Sequence, residues 1–245
     1  MKHFLKIYSI AFESLTIFHA GWNKSVENSE RIRSVVFYPV VGLFLGVILN
    51  LSRLFFQVLL PKDAADFLTI ILLVVFTGGI HLTNLACGPE ILGVNNSEGD
   101  QASISTGGLS FVSAGIIIFI QWGKFFVLTC VPLTLESQAV VLLPMVGLWV
   151  MMWTIYISPS ETKSPEGFPD TVSWREFFPA SIVALVFLFV FLKLKAFPVV
   201  FMMIGSSFAF IKLGGYRRES AFALGASHEL GGIIFLFCLG FINST

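Results

Sequence analysis

The side chains able to do chemistry fall in three stretches of the 245-residue chain and at one isolated position. The first stretch reads Thr77-Gly78-Gly79-Ile80-His81-Leu82-Thr83-Asn84-Leu85-Ala86-Cys87-Gly88-Pro89-Glu90. His81 can take or give a proton near neutral pH, Glu90 offers a carboxylate, and Asn84 both donates and accepts hydrogen bonds. Two readings stand together: His81 bonds a neighbouring helix, or His81 and Glu90 face a polar cavity. Paired glycines at membrane depth permit close helix approach or a break in the helix, and Pro89 ends regular structure.

The second stretch, Asn95 to Gln101, contains Glu98 and Asp100 and no Lys or Arg. Its carboxylates suit a hard cation, since Mg²⁺ prefers oxygen ligands and retained waters; a solvated loop has the same composition. Ser105 to Phe111 is a Gly/Ser cluster that either binds an anion through backbone N–H groups or caps a helix. The third stretch carries Arg217, Arg218 and Glu219, then His228 and Glu229 at the mouth of the last apolar run. Two arginines near carboxylates grip a phosphate together with a cation, or anchor a loop on one side of a membrane. His228 and Glu229 form the remaining acid/base pair.

The isolated position is Lys124, inside the apolar run Phe111 to Val131. A charge at the bilayer centre costs about 2.5–3.5 kcal/mol on insertion scales, so Lys124 is a functional candidate in search of an acidic partner. Arg53 lies near the far end of its own run and is expected to snorkel to the interface.

The elements that must position these groups follow from composition. Hydrophobic residues make up 56%, charged residues 12%, with 27 Phe and a mean hydropathy of +0.86. A soluble domain carries about 25% charged residues, so this chain lacks the charge for a water-facing shell. A soluble globule, a disordered chain and a nucleic-acid-binding surface are excluded. The 15 basic residues balance 15 acidic ones, so no polyanionic partner is implied. Cys87, Cys130 and Cys238 are too widely spaced for a disulfide framework or a CxxC metal site.

A span needs about 20 apolar residues. The runs Val35 to Leu60, Phe67 to Ala86, Phe111 to Val131, Ala139 to Ile157, Phe177 to Leu192, Ala196 to Ile211 and Leu230 to Ile242 predict roughly seven spans by that criterion. Phe4, Leu5, Tyr8, Phe12 and Leu15 recur at helical spacing and predict an amphipathic helix at the interface. The expected fold class is all-α, a multi-pass transmembrane helical bundle formed by residues 1–245 as one integral membrane domain. Lys24, Arg31, Arg33, Lys163, Arg175, Lys212, Arg217 and Arg218 fall in alternate loops, against Lys62, Lys193 and Lys195 on the opposite side. Basic excess marks the cytoplasmic face, so the long polar loops are expected there.

These motifs, taken in order, resemble the cobalamin synthase family, the adenosylcobinamide-GDP ribazoletransferases. Tyr38-Pro39-Val40-Val41-Gly42-Leu43-Phe44-Leu45-Gly46 is similar to the family's FPLVGLLLG-like start of the first span, and Thr77 to Glu90 to its TGGLHLDGLADTADG segment. Gly123-Lys124-Phe125 falls where the family has a lysine. Lys212 to Gly215, Leu224-Gly225-Ala226 and Glu229 resemble its closing segment.

The resemblance implies an enzyme that joins α-ribazole, or its 5′-phosphate, to adenosylcobinamide-GDP with loss of GMP. It implies Mg²⁺, with Glu90 and Glu219 at motif positions as metal ligands and Glu98 or Asp100, from the neighbouring acidic stretch, expected to complete the set in a bacterial inner-membrane enzyme. His81, Lys124 and Glu229 are then expected as catalytic groups, and Asn84, Arg217 and Arg218 as substrate-binding groups. The departures are concentrated in the acidic segments. Two motif aspartates fall on Thr83 and Cys87, and a third on Glu90. The stretch resembling MKDSRIGTFG falls on Ala102 to Phe111 without Asp or Arg, and two family arginines fall at Ile17 and about Leu148. Thr and Cys do not supply the anionic oxygens Mg²⁺ prefers. An alternative is therefore a non-catalytic relative that binds corrinoid or serves as an assembly protein. Transport ranks last, because the sequence has no inverted repeat. A homo-oligomer is left open.

Overall fold

The computed structural model describes residues 2–18, 26–86, 111–157, 169, 171–213 and 220–242, and among them all regular structure is helical. The helices are α1 (Lys2–Leu15), α2 (Asn28–Ser34), α3 (Tyr38–Leu59), α4 (Lys62–Phe76), α5 (Ile80–Ala86), α6 (Phe111–Thr129), α7 (Leu133–Ile157), α8 (Trp174–Leu192), α9 (Ala196–Leu213) and α10 (Ser220–Ile242). The all-α bundle expected from the apolar runs is present.

Length and composition confirm the apolar runs as spans only in part. Among the described residues, four continuous helical stretches are long and apolar enough to cross a membrane: Asn28–Leu59, Leu133–Ile157, Trp174–Phe208 and Leu224–Phe241. Ser113–Thr129 is a shorter apolar helix. The run Phe67 to Ala86 is not one helix, because Gly78 and Gly79 adopt φ of +61° and +64° and turn the chain between α4 and α5. That left-handed region is open to glycine and strained for other residues. Hydropathy alone does not register such a turn, since the flanking residues stay apolar.

Helix α7 is the axis of the bundle. It is apolar all round, as an enclosed helix must be, and Ala139 to Met152 are buried without interruption. It lies directly against α3, where Gly42 and Gly46 sit one turn apart. A Cβ on Gly46 would fall 1.9 Å from the Val141 carbonyl oxygen, and one on Gly42 would fall 2.6 Å from Met145 Cα. Small residues at this spacing bring two helix backbones together where lipid gives no hydrophobic drive. The outward faces of the helices around α7 stay apolar and exposed, as at Phe55 and Val58 of α3, Phe119 of α6, Phe201 of α9 and Phe241 of α10, which suits contact with acyl chains.

Arg53 departs from expectation. It is 2% exposed and does not snorkel. Its Nε donates to Asp66 Oδ1 at 2.6 Å, and a second guanidinium nitrogen bonds Glu136. Lys62 reaches Asp66 Oδ2 at 2.9 Å and Glu136 Oε1 at 2.7 Å. Two cations and two carboxylates thus join α3, α4 and α7. Neutralising each other satisfies charges that the bilayer would otherwise reject. Sequence reading placed Arg53 at the interface because Asp66 and Glu136 lie in other elements, which only the packing of α3 on α7 brings within reach.

Candidate active site

A second polar cluster sits at the opposite end of α4 from the Arg53 network. Asp66 is near the start of α4, whereas the Gly78-Gly79 turn follows its end and starts α5, with His81 in the first turn of that helix. His81 is 1% exposed. Its ring stacks on that of His228 from α10, with centroids 3.8 Å apart and planes at 14°.

Glycines make this approach possible. A Cβ on Gly225 would lie 2.5 Å from the His81 carbonyl oxygen and 2.6 Å from Leu85 N. Backbone of α5 therefore rests on backbone of α10. On the other side, a Cβ on Gly147 of α7 would lie 2.9 Å from both Cδ2 and Nε2 of His228. The His228 ring is packed between the α7 axis and the His81 face.

Glu229 collects the remaining groups. Its Oε2 accepts from Lys124 Nζ at 2.6 Å and from Gln121 Nε2 at 2.7 Å. Its Oε1 lies 3.1 Å from His228 Nδ1. A carboxylate only accepts, so the bond needs the proton on His228 Nδ1, which leaves Nε2 as the basic nitrogen of the neutral ring. Lys124 and Glu229 are 1% and 3% exposed, so each charge is compensated inside the bundle rather than by water. Breaking such a pair leaves an unpaired buried charge and is strongly destabilising.

The sequence-predicted residues divide sharply. His81, Lys124 and Glu229 meet in one cluster that also holds His228. Asn84 is one turn along α5 from His81, 8% exposed, with no hydrogen-bond partner for Nδ2 among the described residues. Thr83, at a motif-aspartate position, is exposed, and its hydroxyl donates to the Ile80 carbonyl at 2.9 Å. Glu90, Glu98, Asp100, Arg217, Arg218, Glu219 and Cys87 lie outside the described residues. Among the described residues, no three His, Cys, Asp or Glu side chains come together as a metal site. Glu229 is unsuited to add a dication, since Lys124 already holds its Oε2. Gln121 was missed by sequence reading. The signal available was its place three residues before Lys124, which puts both side chains on one face of α6.

As an arrangement, the cluster offers a carboxylate, an ammonium and stacked imidazoles in a water-poor setting. Such a setting is suited to moving a proton and to stabilising negative charge.

A sequence profile of the cobalamin-5-phosphate synthase family matches residues 8–240. The chain is 25% identical over 226 residues to an adenosylcobinamide-GDP ribazoletransferase of Thermoanaerobacter pseudethanolicus, covering 87% of this chain and 88% of the relative. It is 25% identical over 243 residues to a protein of the same name from Desulforamulus reducens, covering 94% and 95%. A shorter match, 33% identical over 82 residues, covers 34% of this chain and 33% of another such protein, from Geotalea daltonii. No solved structure matches the chain.

Proposed function

Because this chain belongs to the cobalamin-5-phosphate synthase family, we propose that it is an adenosylcobinamide-GDP ribazoletransferase of cobalamin biosynthesis, joining α-ribazole or its 5′-phosphate to adenosylcobinamide-GDP. The observation carrying the proposal is that the polar residues shared with the family motifs, His81, Lys124 and Glu229, meet in one buried cluster although they come from three helices.

In this reading a hydroxyl oxygen of the ribazole forms a bond to the corrinoid-side phosphorus of the pyrophosphate. The bond from that phosphorus to the bridging oxygen breaks, and GMP leaves with that oxygen. The proton of the hydroxyl passes to an imidazole, His81 or His228. Glu229 holds His228 in the tautomer with a basic Nε2, and Lys124 keeps Glu229 ionised and fixed. Asn84 and the arginines Arg217 and Arg218 are the proposed contacts to substrate, the arginines as phosphate clamps.

Mg²⁺ is part of the proposal. Glu90, Glu98, Asp100 and Glu219 would hold it, their oxygens being the donor type a hard cation takes, and when bound it would neutralise phosphate charge. In the sequence, Glu90, Glu98 and Asp100 follow the helix that carries His81, and Glu219 precedes the helix that carries Glu229. We also place the loops that carry them on the cytoplasmic face of a bacterial inner membrane, as the distribution of Lys and Arg supports, with the whole chain acting as one membrane-embedded unit.

The test is release of GMP from adenosylcobinamide-GDP and α-ribazole by purified protein in lipid, with and without Mg²⁺. Release that disappears in a folded Glu229→Gln variant supports the reading. Measurable corrinoid binding with no release above that variant would reject it in favour of the non-catalytic relative, a reading that the exposed, carboxylate-free Thr83 position supports.

A further inference from the structure

Resting on the reading of His81 as a site residue, we propose that Ile17 is a positioning residue for His81, acting through the Gly78-Gly79 turn. The chain does not run free after α1. Thr16 Oγ1 donates to the Phe12 carbonyl at 2.7 Å and accepts from Phe18 N at 3.3 Å, curling the backbone. Ile17 N then donates to the carbonyl of Phe76, the last residue of α4, at 3.0 Å. The Phe18 ring lies between those of Phe12 and Phe76, at 6.0 Å and 6.1 Å.

This strap meets the turn directly. Ile17 Cγ2 lies 2.7 Å from where a Gly78 Cβ would stand, so the isoleucine fills the space that the missing side chain leaves. Gly78 and Gly79 have more accessible backbone states than any other residue pair would have. A side chain packed on the turn from outside therefore narrows that choice further. The selected state aims α5 so that His81 stacks on His228 and its carbonyl rests on Gly225. The turn's own bonds run from Thr77, Gly78 and Gly79 amides to Leu73, Val75 and Val74 carbonyls and from Ile80, Leu82 and Thr83 amides to Thr77 and Gly79 carbonyls, and Ile17 adds to them a contact from another helix's end.

Ile17 is itself 43% exposed. Truncating it removes little buried area and leaves no enclosed cavity, so global stability should barely change. A positioning role and a merely structural one then separate experimentally. In the purified full chain in lipid, modification of His81 by diethyl pyrocarbonate is followed by peptide mass spectrometry, beside the thermal midpoint. Ile17→Ala should raise the His81 modification rate by about tenfold, as expected when a local opening becomes easier. The thermal midpoint should stay unchanged, and Ile17→Val should restore the parent rate. A folded Ile17→Ala variant whose His81 is as protected as the parent's overturns the proposal.

Gly78→Ala gives a second arm, read alone and in combination with Ile17→Ala. Its new methyl meets Ile17 Cγ2 and its positive φ adds backbone strain, so it should expose His81 as well, and only the clash is relieved by Ile17→Ala. Combined with Ile17→Ala its effect should be less than additive, and simple additivity overturns the proposal. In the GMP-release assay, Ile17→Ala should lower kcat about tenfold at unchanged KM, the loss expected of a misplaced group. If the parent releases no GMP, the functional reading fails while the protection experiment still decides this inference.

Discussion

The imidazole of His81 lies flat on that of His228 at a centroid distance of 3.8 Å, although α5 and α10 are far apart in the chain. Stacking excludes water from between the rings and leaves only their edges to exchange protons. A phenylalanine at position 81 keeps the flat face and removes the nitrogens. We expect His81→Phe to hold the thermal midpoint near the parent value while GMP release falls about 10²- to 10⁴-fold, the usual contribution of a positioned acid/base group. Paired activity and melting measurements check this, and full activity in His81→Phe would remove His81 from the chemistry.

The Lys124–Glu229 pair should behave as a unit. Lys124→Met leaves the Glu229 carboxylate facing only Gln121 and His228, and Glu229→Leu leaves a buried ammonium. Each should lower stability by about 3–5 kcal/mol, as removal of one member of a buried pair does. The double variant should be less destabilised than the sum of the singles. Denaturant unfolding in a fixed detergent tests this, and strict additivity would mean the two groups do not interact.

Helix contact through glycine makes a prediction about Gly46. Its Cβ would fall 1.9 Å from a backbone oxygen of α7, whereas a Cβ on Gly205 or Gly115 meets nothing within 4 Å. Gly46→Ala should therefore destabilise by at least the roughly 1–3 kcal/mol of an overpacked core, visible as loss of folded protein on size-exclusion chromatography. Gly205→Ala and Gly115→Ala should express and melt like the parent.

The Arg53 network predicts an alkaline limit. Burial pushes the Lys62 ammonium down, but the hydrogen bonds and charges of Glu136 and Asp66 outweigh it and hold Lys62 above the ordinary lysine value. A group whose value is raised on folding stabilises the protein below its unfolded value and ceases to do so above its folded one. The thermal midpoint should thus be insensitive to pH near neutrality and fall above about pH 10, where a free lysine titrates. Lys62→Met should melt lower at neutral pH and lose that fall. Arg53→Lys should also destabilise, because a single ammonium does not reproduce the guanidinium's two-sided reach to Asp66 and Glu136.

Much was legible in the chain before any fold was known. The shortage of charge and the apolar runs required helices in a membrane, and the rarity of ionisable residues in such runs singled out Lys124. His81, Asn84 and Glu229 were equally visible as polar groups in apolar surroundings. Arg53 was misread as an interfacial charge and Gln121 was passed over, for one reason: an uncharged amide or a terminal arginine gains its meaning from partners on other helices.

Hydropathy and charge are properties of neighbouring residues along one chain, so the sequence by itself determined a helical membrane protein, the composition of its lipid-facing surface and a short roster of groups worth explaining. Pairing depends on how each helix is rotated and how closely two backbones approach. Only the tertiary structure decided that Lys124 meets Glu229, that His81 stacks on His228, and that Arg53 joins Asp66 and Glu136. Those outcomes rest on the absence of a few Cβ atoms at Gly46, Gly147 and Gly225 and on a left-handed turn at Gly78 and Gly79, features whose consequences arise across space rather than along the chain.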